Sequence, residues 1–253
     1  MNLLSDKNIV LDKVVHEYSL RTQPDLVFTS VTTFIDGFFE SFDSEKIATK
    51  LVKTHPRYAD HTVESLIAEW NAAGQHGTDV HEEIENWIKN GVEPDEININ
   101  IATSTQLAFD LWVPRKAKAV AGVNWLKNYQ KKSDIQVLSE VIIYSTELKM
   151  AGTVDVLALD KTTGNYEIID WKTSKMINTS SYGNKTGTSS FTRDVPDCNF
   201  YHYALQLSLY RYLLEEYYGV RINNQLIAHL KDDGAKGYVA PYMRDHIVAM
   251  LNN

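Results

Sequence analysis

The chain has 253 residues, 43% apolar and 11% aromatic, with one cysteine and a formal net charge of −8. That length allows one large domain or two small ones around a sizeable core, and the lone Cys198 excludes an intrachain disulfide, an iron–sulfur cluster and any zinc site needing several thiolates. No run nears the ~18 apolar residues of a membrane span, and the early Asp and Lys of MNLLSDKNIVLDK exclude a secretory core, so a reducing, cytoplasmic setting is expected.

The N-terminal part reads mostly helical. Thr29-Ser30-Val31-Thr32 offers capping residues ahead of the aromatic run FIDGFFESF. Ser44 to Lys53 reads as a short helix, with Ser44 as a candidate N-cap and Glu45 suited to the first turn. Thr62 to Trp70 and Gly77 to Lys89 read as two helices, the second ending at Asn90-Gly91. Thr105 to Gln130 has helical composition, bent or split at Pro114. The period then changes. Ile135–Tyr144, Ala151–Leu159 and Tyr166–Lys172 are short, β-branched and strand-like, with turn residues Thr162-Thr163-Gly164-Asn165 between the last two. A polar stretch from Thr173 to Asn199 is too long for a plain connection and is either functional or disordered. Tyr201–Tyr218 reads as an amphipathic helix, Gln225–Lys231 as a strand and Pro241–Leu251 as a terminal helix. The sum is a mixed α/β domain.

Charge is unevenly spread. Trp112 to Ser133 carries Arg115, Lys116, Lys118, Lys127, Lys131 and Lys132 and no acid, and Trp171 to Arg193 carries Lys172, Lys175, Lys185 and Arg193 and no acid. Both are either solvated faces or phosphate contacts.

Two aspartates interrupt the apolar strands. In a hairpin closed by an even loop, Leu159 faces Tyr166 and Asp155 faces Asp170, with Cβ atoms about 4.5–5.5 Å apart. Lys172, two residues on, shares the face of Asp170. An odd loop without a bulge puts the aspartates on opposite faces. Two close carboxylates repel when both are ionised, and a hard cation such as Mg²⁺ or Mn²⁺ removes the conflict. With a lysine to steady a water or a developing oxyanion, the set suits phosphodiester hydrolysis. A surface salt bridge from Lys172 to either aspartate is the plain alternative.

The pattern Gly152-x-x-Asp155 followed by Asp170-x-Lys172 resembles the core signature of the PD-(D/E)XK nuclease superfamily. Gly77-Thr-Asp-Val-His81 and Gln206-Leu-Ser-Leu-Tyr210 resemble the G-x-x-x-H and Q-x-x-x-Y helices of its RecB-type branch, and all four elements occur in that branch's order. The resemblance implies a restriction-endonuclease-like fold, a mixed β-sheet flanked by helices. Residues 1–75 would form a helical N-terminal part of the same domain covering the active site, and residues 76–253 the nuclease core. It implies that His81, Asp155 and Asp170 bind Mg²⁺ or Mn²⁺ with the backbone carbonyl of Trp171. Lys172 would position the attacking water, Gln206 and Tyr210 would buttress the site or touch the DNA backbone, and Glu140 would support it or bind a second metal.

Arg115, Lys116, Lys175, Lys185 and Arg193 are candidate phosphate contacts, and Tyr182, Phe191 and Trp171 candidate stacking partners for unpaired bases. Phe34, Phe38, Phe39 and Phe42 either cover the site or belong to the core. The expected activity is a Mg²⁺-dependent exonuclease preferring single-stranded DNA ends, similar to phage and mitochondrial members of the branch. The chain has no G-x-x-x-x-G-K-[ST] run, so a separate helicase or recombination protein is the expected partner. A structure-specific endonuclease and a non-catalytic DNA-binding module on the same fold are the other readings.

Overall fold

The computed structural model describes residues 3–94 and 106–252. Six strands form one mixed sheet: β3 (Thr29–Ser30), β4 (Ile135–Ser145), β5 (Met150–Asp160), β6 (Asn165–Lys172), β7 (Ile222–Lys231) and β8 (Gly234–Val239). β4, β5 and β6 form an antiparallel meander, β7 joins β6 in parallel, and β8 closes the edge antiparallel to β7. The β5–β6 loop has four residues, 161–164, and Leu159 pairs with Tyr166, which is the even register. Asp160 sets that loop by accepting from the Thr162 N–H at 2.8 Å through its side chain and from the Gly164 N–H at 2.8 Å through its carbonyl.

Helices cover both faces. On one side lie α3 (Val63–Asn90) and α4 (Gln106–Gln130), whose Val80, Ile84, Ala119, Val123 and Leu126 bury Val156, Ala158, Ile169 and Trp171. On the other lie α1 (Val31–Asp36), α5 (Asn199–Tyr218) and α6 (Arg244–Leu251), packed on Val141, Ile143, Val154, Leu157 and Ile168. The layers make the restriction-endonuclease-like α/β arrangement. α2 (Ser44–Thr54) lies outside the sheet and packs on α3. Among the described residues, no helix is long and apolar enough to cross a membrane.

Several elements differ from the sequence reading. The N-terminal part is not mostly helical. It opens with a hairpin of β1 (Ile9–Asp12) and β2 (Glu17–Leu20), which seals Ile9, Tyr18, Leu20 and Phe28 over Ala151, Ile142 and Tyr144. Four-residue strands are too short to show a clear period in sequence. The two helices read at 62–70 and 77–89 are one helix of 28 residues, capped by Thr62 and by Gly91 at φ 72°. No proline lies between them, and a mid-helix glycine such as Gly74 costs only about 1 kcal/mol. α4 likewise passes Pro114 without splitting. Asp43, not Ser44, caps α2. α5 is buried round most of its girth, with Ala204, Leu205, Leu207, Ser208 and Leu209 all inside, because it is wedged among the sheet, α1 and α6. The polar stretch 173–198 is ordered, fastened to the α1 end by the Thr188 N–H on the Phe38 carbonyl at 2.8 Å.

Gly152 shows how tightly the layers meet. A Cβ there would lie 2.6 Å from the Tyr210 ring and 3.1 Å from Val31. Gly152→Ala is therefore expected to cost about 1–3 kcal/mol by overpacking, read as a lower urea midpoint; an unchanged midpoint would contradict this packing.

Candidate active site

The site arises where the sheet forks. The β5–β6 ladder stops at Val156↔Ile169, whereas β6 stays with β7 as far as Lys172↔His229. Beyond the fork the other end of β5 is taken by β3, at Met150 and Ala151. The parting leaves a backbone donor of β6 without its strand partner, and Asp155 supplies one: its Oδ2 accepts the Trp171 N–H at 2.8 Å.

The window opens into a cleft of about 540 Å³ lined by residues of β1, β2, α3, β4, β5, β6 and α5. His81 reaches in from α3, with Nδ1 3.5 Å from Asp155 Oδ2. Ligand atoms of His81, Glu140 and Asp155 lie within 4.8 Å of one another. Beside them Lys172 Nζ sits 2.7 Å from Asp170 Oδ2 and 4.5 Å from the centre of the Tyr203 ring. Gln206 ties this half together: its amide nitrogen faces Asp170 Oδ1 at 3.5 Å and the Tyr210 hydroxyl at 3.2 Å, and its oxygen faces Lys172 Nζ at 3.5 Å. Tyr18 adds a hydroxyl 2.9 Å from Thr153 Oγ1 on the hairpin side.

The carboxylates are in electrostatic conflict. Burial, then the neighbouring Asp155 and Glu85, push Glu140 up to about 7. Burial pushes Asp170 up to about 6 although Lys172 pulls it down. Burial acts on Asp155 too, but His81 and Lys172 outweigh it and hold that carboxyl below its usual range. Burial opposes the charge on His81 and Lys172, and the facing carboxylates overcome this and raise both. Glu140 also has an unusual backbone, with φ 51° inside a strand. Two half-buried carboxylates that repel one another, with an imidazole nitrogen within 4.8 Å of both, are a donor set for a hard divalent cation.

Gly77 accounts for the approach of α3, since a Cβ there would meet Thr173 Oγ1 at 3.0 Å. The remaining expected contacts do not converge on the cleft. Lys175, Lys185 and Arg193 are exposed and Lys116 half-buried, and none of them lines it. Lys175 lies 3.6 Å from Glu69, and Lys185 pairs with Glu40. The side chain of Arg115 lies outside the described residues. Trp171 is not a stacking surface: it is 2% exposed and packs edge-on against Trp125. Phe38 and Phe39 are core, and Phe42 is exposed. Sequence reasoning missed Tyr18, Tyr203 and Glu85, because only the fold brings an N-terminal hairpin and the α5 aromatics to the same window.

Paired carboxylates, an imidazole and a lysine at the fork of a restriction-endonuclease-like sheet are the fittings of a metal-dependent nuclease. A profile of the PD-(D/E)XK nuclease superfamily matches residues 55–242, well over half of the chain, and the chain belongs to that superfamily. No curated protein matches it.

Two outcomes are expected. Mn²⁺ at a hundred times its Kd should stabilise the protein by about 2.7 kcal/mol, a rise in Tm of roughly 5–10 °C, and Asp155→Ala should remove the rise; equal shifts in both proteins would exclude this donor set. In EDTA, Glu140 with its raised folded pKa favours the folded state at low pH and loses that contribution as pH climbs from the unfolded value of about 4.3 through about 7. Glu140→Gln should therefore melt above wild type at pH 8, by a margin that shrinks towards pH 5, in thermal scans at both pH values.

Proposed function

We propose that the protein is a divalent-metal-dependent DNA exonuclease of the RecB-type branch that takes single-stranded ends. The observation that carries the reading is the joint placement in one cleft of the His81–Glu140–Asp155 donors and the Asp170–Lys172 pair at 2.7 Å. His81, Asp155 and Asp170, with the Trp171 carbonyl and Glu140 as further oxygens, would hold a Mg²⁺ or Mn²⁺ ion, which would supply Lewis-acid polarisation of the phosphate and of water.

The side chains of the chain do the rest. Lys172, oriented by Asp170, Gln206 and the Tyr203 ring, holds the attacking water in line with phosphorus. As the new P–O bond forms the water gives up a proton to solvent, the bond to the leaving sugar oxygen breaks and that oxygen takes a proton up, and the Lys172 ammonium faces the charge that grows on the phosphoryl oxygens. Gln206, itself held by the Tyr210 hydroxyl, bridges Lys172 and Asp170 and fixes the orientation of the pair. The cleft volume suits one small ligand rather than a duplex, and the β1–β2 hairpin and α3 wall it on two sides, which favours a single strand entering by its end. Basic side chains outside the cleft, Lys116, Lys175, Lys185 and Arg193, then hold the phosphate backbone in a salt-dependent manner, a role the sequence also suggests for Arg115. The single, buried Cys198 suits a cytoplasmic setting, where a separate helicase or recombination protein would deliver the strand.

End-labelled and end-blocked single and double strands, and a circular single strand, digested with Mg²⁺ or with EDTA test the reading. Mg²⁺-dependent loss of free-ended single strands, sparing the circle, is expected; cutting of the circle would make the enzyme an endonuclease. Asp170→Ala should abolish degradation while leaving the fold intact, and Lys172→Met should lower kcat about a hundredfold to a thousandfold. Full activity in Asp170→Ala would remove the assignment.

A further inference from the structure

A second cleft of about 800 Å³, larger and more apolar than the first, lies on the other flank of α3. Its walls are Tyr58, Trp70 and Ala73 on the helical side and Met176 on the loop that follows Lys172. Phe42, 68% exposed, stands edge-on to Trp70 with ring centroids 5.5 Å apart and extends the aromatic wall outward. Two cations line the cleft, Lys118 and Lys175. Among the described residues Lys175 pairs with Glu69, which also lines the cleft, in a solvent-exposed contact at 3.6 Å, the kind of pair that contributes little and yields readily to a phosphate.

The cleft lies across the end of β6 from the catalytic one. Thr173 lines it, Lys172 lines the other, and Gly77 packs on Thr173 at the divide. Its floor is fixed in advance. His229, buried, donates from Nε2 to the Ser174 carbonyl at 2.6 Å, Lys118 Nζ donates to the Thr173 carbonyl at 3.3 Å, and the Asn199 amide clamps the loop by donating to the Met176 carbonyl at 2.7 Å and accepting the Asn178 N–H at 2.8 Å. None of these groups is needed for the hydrolytic step.

We propose that this groove is a binding site for unpaired nucleobases of the strand engaged at the catalytic cleft, with the rings of Trp70, Tyr58 and Phe42 as stacking surfaces and Lys118 and Lys175 as phosphate partners. Every base has a π-face, so such a site grips a single strand without reading its sequence, and a paired duplex does not offer its bases to it. The groove thus gives a physical origin to the single-strand preference proposed above, on which the inference rests.

Binding of a fluorescein-labelled oligothymidylate, followed by anisotropy in EDTA so that no cleavage intervenes, tests the site. Trp70→Ala should weaken binding about tenfold and Phe42→Ala severalfold, with Trp70→Phe restoring most of the affinity. The Mn²⁺-dependent rise in Tm should persist in all three, marking an intact catalytic cluster. Should Trp70→Ala not fold, Phe42→Ala, whose side chain is largely in solvent, and the loss of oligonucleotide-induced tryptophan quenching in Trp70→Phe carry the test. Folded variants that bind as wild type does overturn the groove while leaving the nuclease reading in place. Wild type that binds the oligonucleotide and loses affinity in the variants, yet never cuts it with Mn²⁺, overturns the nuclease reading and keeps the groove.

Discussion

The parting of β5 from β6 is the constraint on which the site depends. A sheet strand that leaves its neighbour exposes donors and acceptors that must be satisfied elsewhere. Here β6 keeps its parallel partner β7 on one edge, and on the other the Trp171 N–H turns to a carboxylate of the strand it has left. Asp155 is thus a structural acceptor before it is anything else, and the same Oδ2 lies 3.5 Å from His81 Nδ1. Because the fork lies inside the sheet rather than at its rim, helices from both layers reach it: α3 brings His81 from one side and α5 brings Gln206 and Tyr210 from the other. Gly152 sits in the gap, where the absence of a Cβ lets the Tyr210 ring close the base of the window.

A second irregularity coincides with the first. Before Glu140, Ile135 and Val137 point towards α3 and α4 and Leu138 towards α5; after it, Val141 and Ile143 point towards α5. The same inversion occurs across Asp155, with Val154 on the α5 side and Val156 on the α3 side. The register is unbroken, Ser139↔Val156 and Val141↔Val154, so both strands change phase at the same level. Glu140 at φ 51° is the backbone price of that inversion, of the order of 1–3 kcal/mol. A regular pleat would alternate Glu140 and Asp155 with their neighbours between two apolar cores. The inversion instead presents both carboxylates to the one opening where His81 waits.

Much of this was legible in the sequence, for physical reasons. The strands around Asp155 and Asp170 are β-branched runs closed by turn residues; those residues leave the loop parity open, and the fold's four-residue loop sets the even register. His81 follows Gly77 by one helical turn, so small residue and ligand share the face that approaches the β6 end. What the sequence concealed depends on tertiary context. The β1–β2 hairpin is too short to carry a period, α3 continues past Gly74 because packing at Leu66, Val80 and Ile84 outweighs one weak position, and nothing in SEVIIY announces a left-handed glutamate. The stacking role expected of Trp171 fails because an indole in a sheet centre is core; the exposed aromatics include Tyr182 on the loop after β6 and Phe42 between α1 and α2, with Trp70 partly exposed inside α3.

Net charge misleads for the same reason. A total of −8 would repel a polyanion if it were spread evenly. Yet Glu85, Glu140, Asp155 and Asp170 crowd into one cleft, where burial, then repulsion from neighbouring carboxylates, raises Glu140 and Asp170 well above ordinary carboxyls. That stored conflict favours a divalent cation, and a cation placed there reverses the sign of the field that a phosphate meets. Lys127, Lys175 and Lys185 of the acid-free runs lie elsewhere: they pair with Glu93, Glu69 and Glu40 rather than facing the cleft. Acidity at the centre is therefore compatible with a polyanionic ligand through the cation it would hold, not through a compensating net charge.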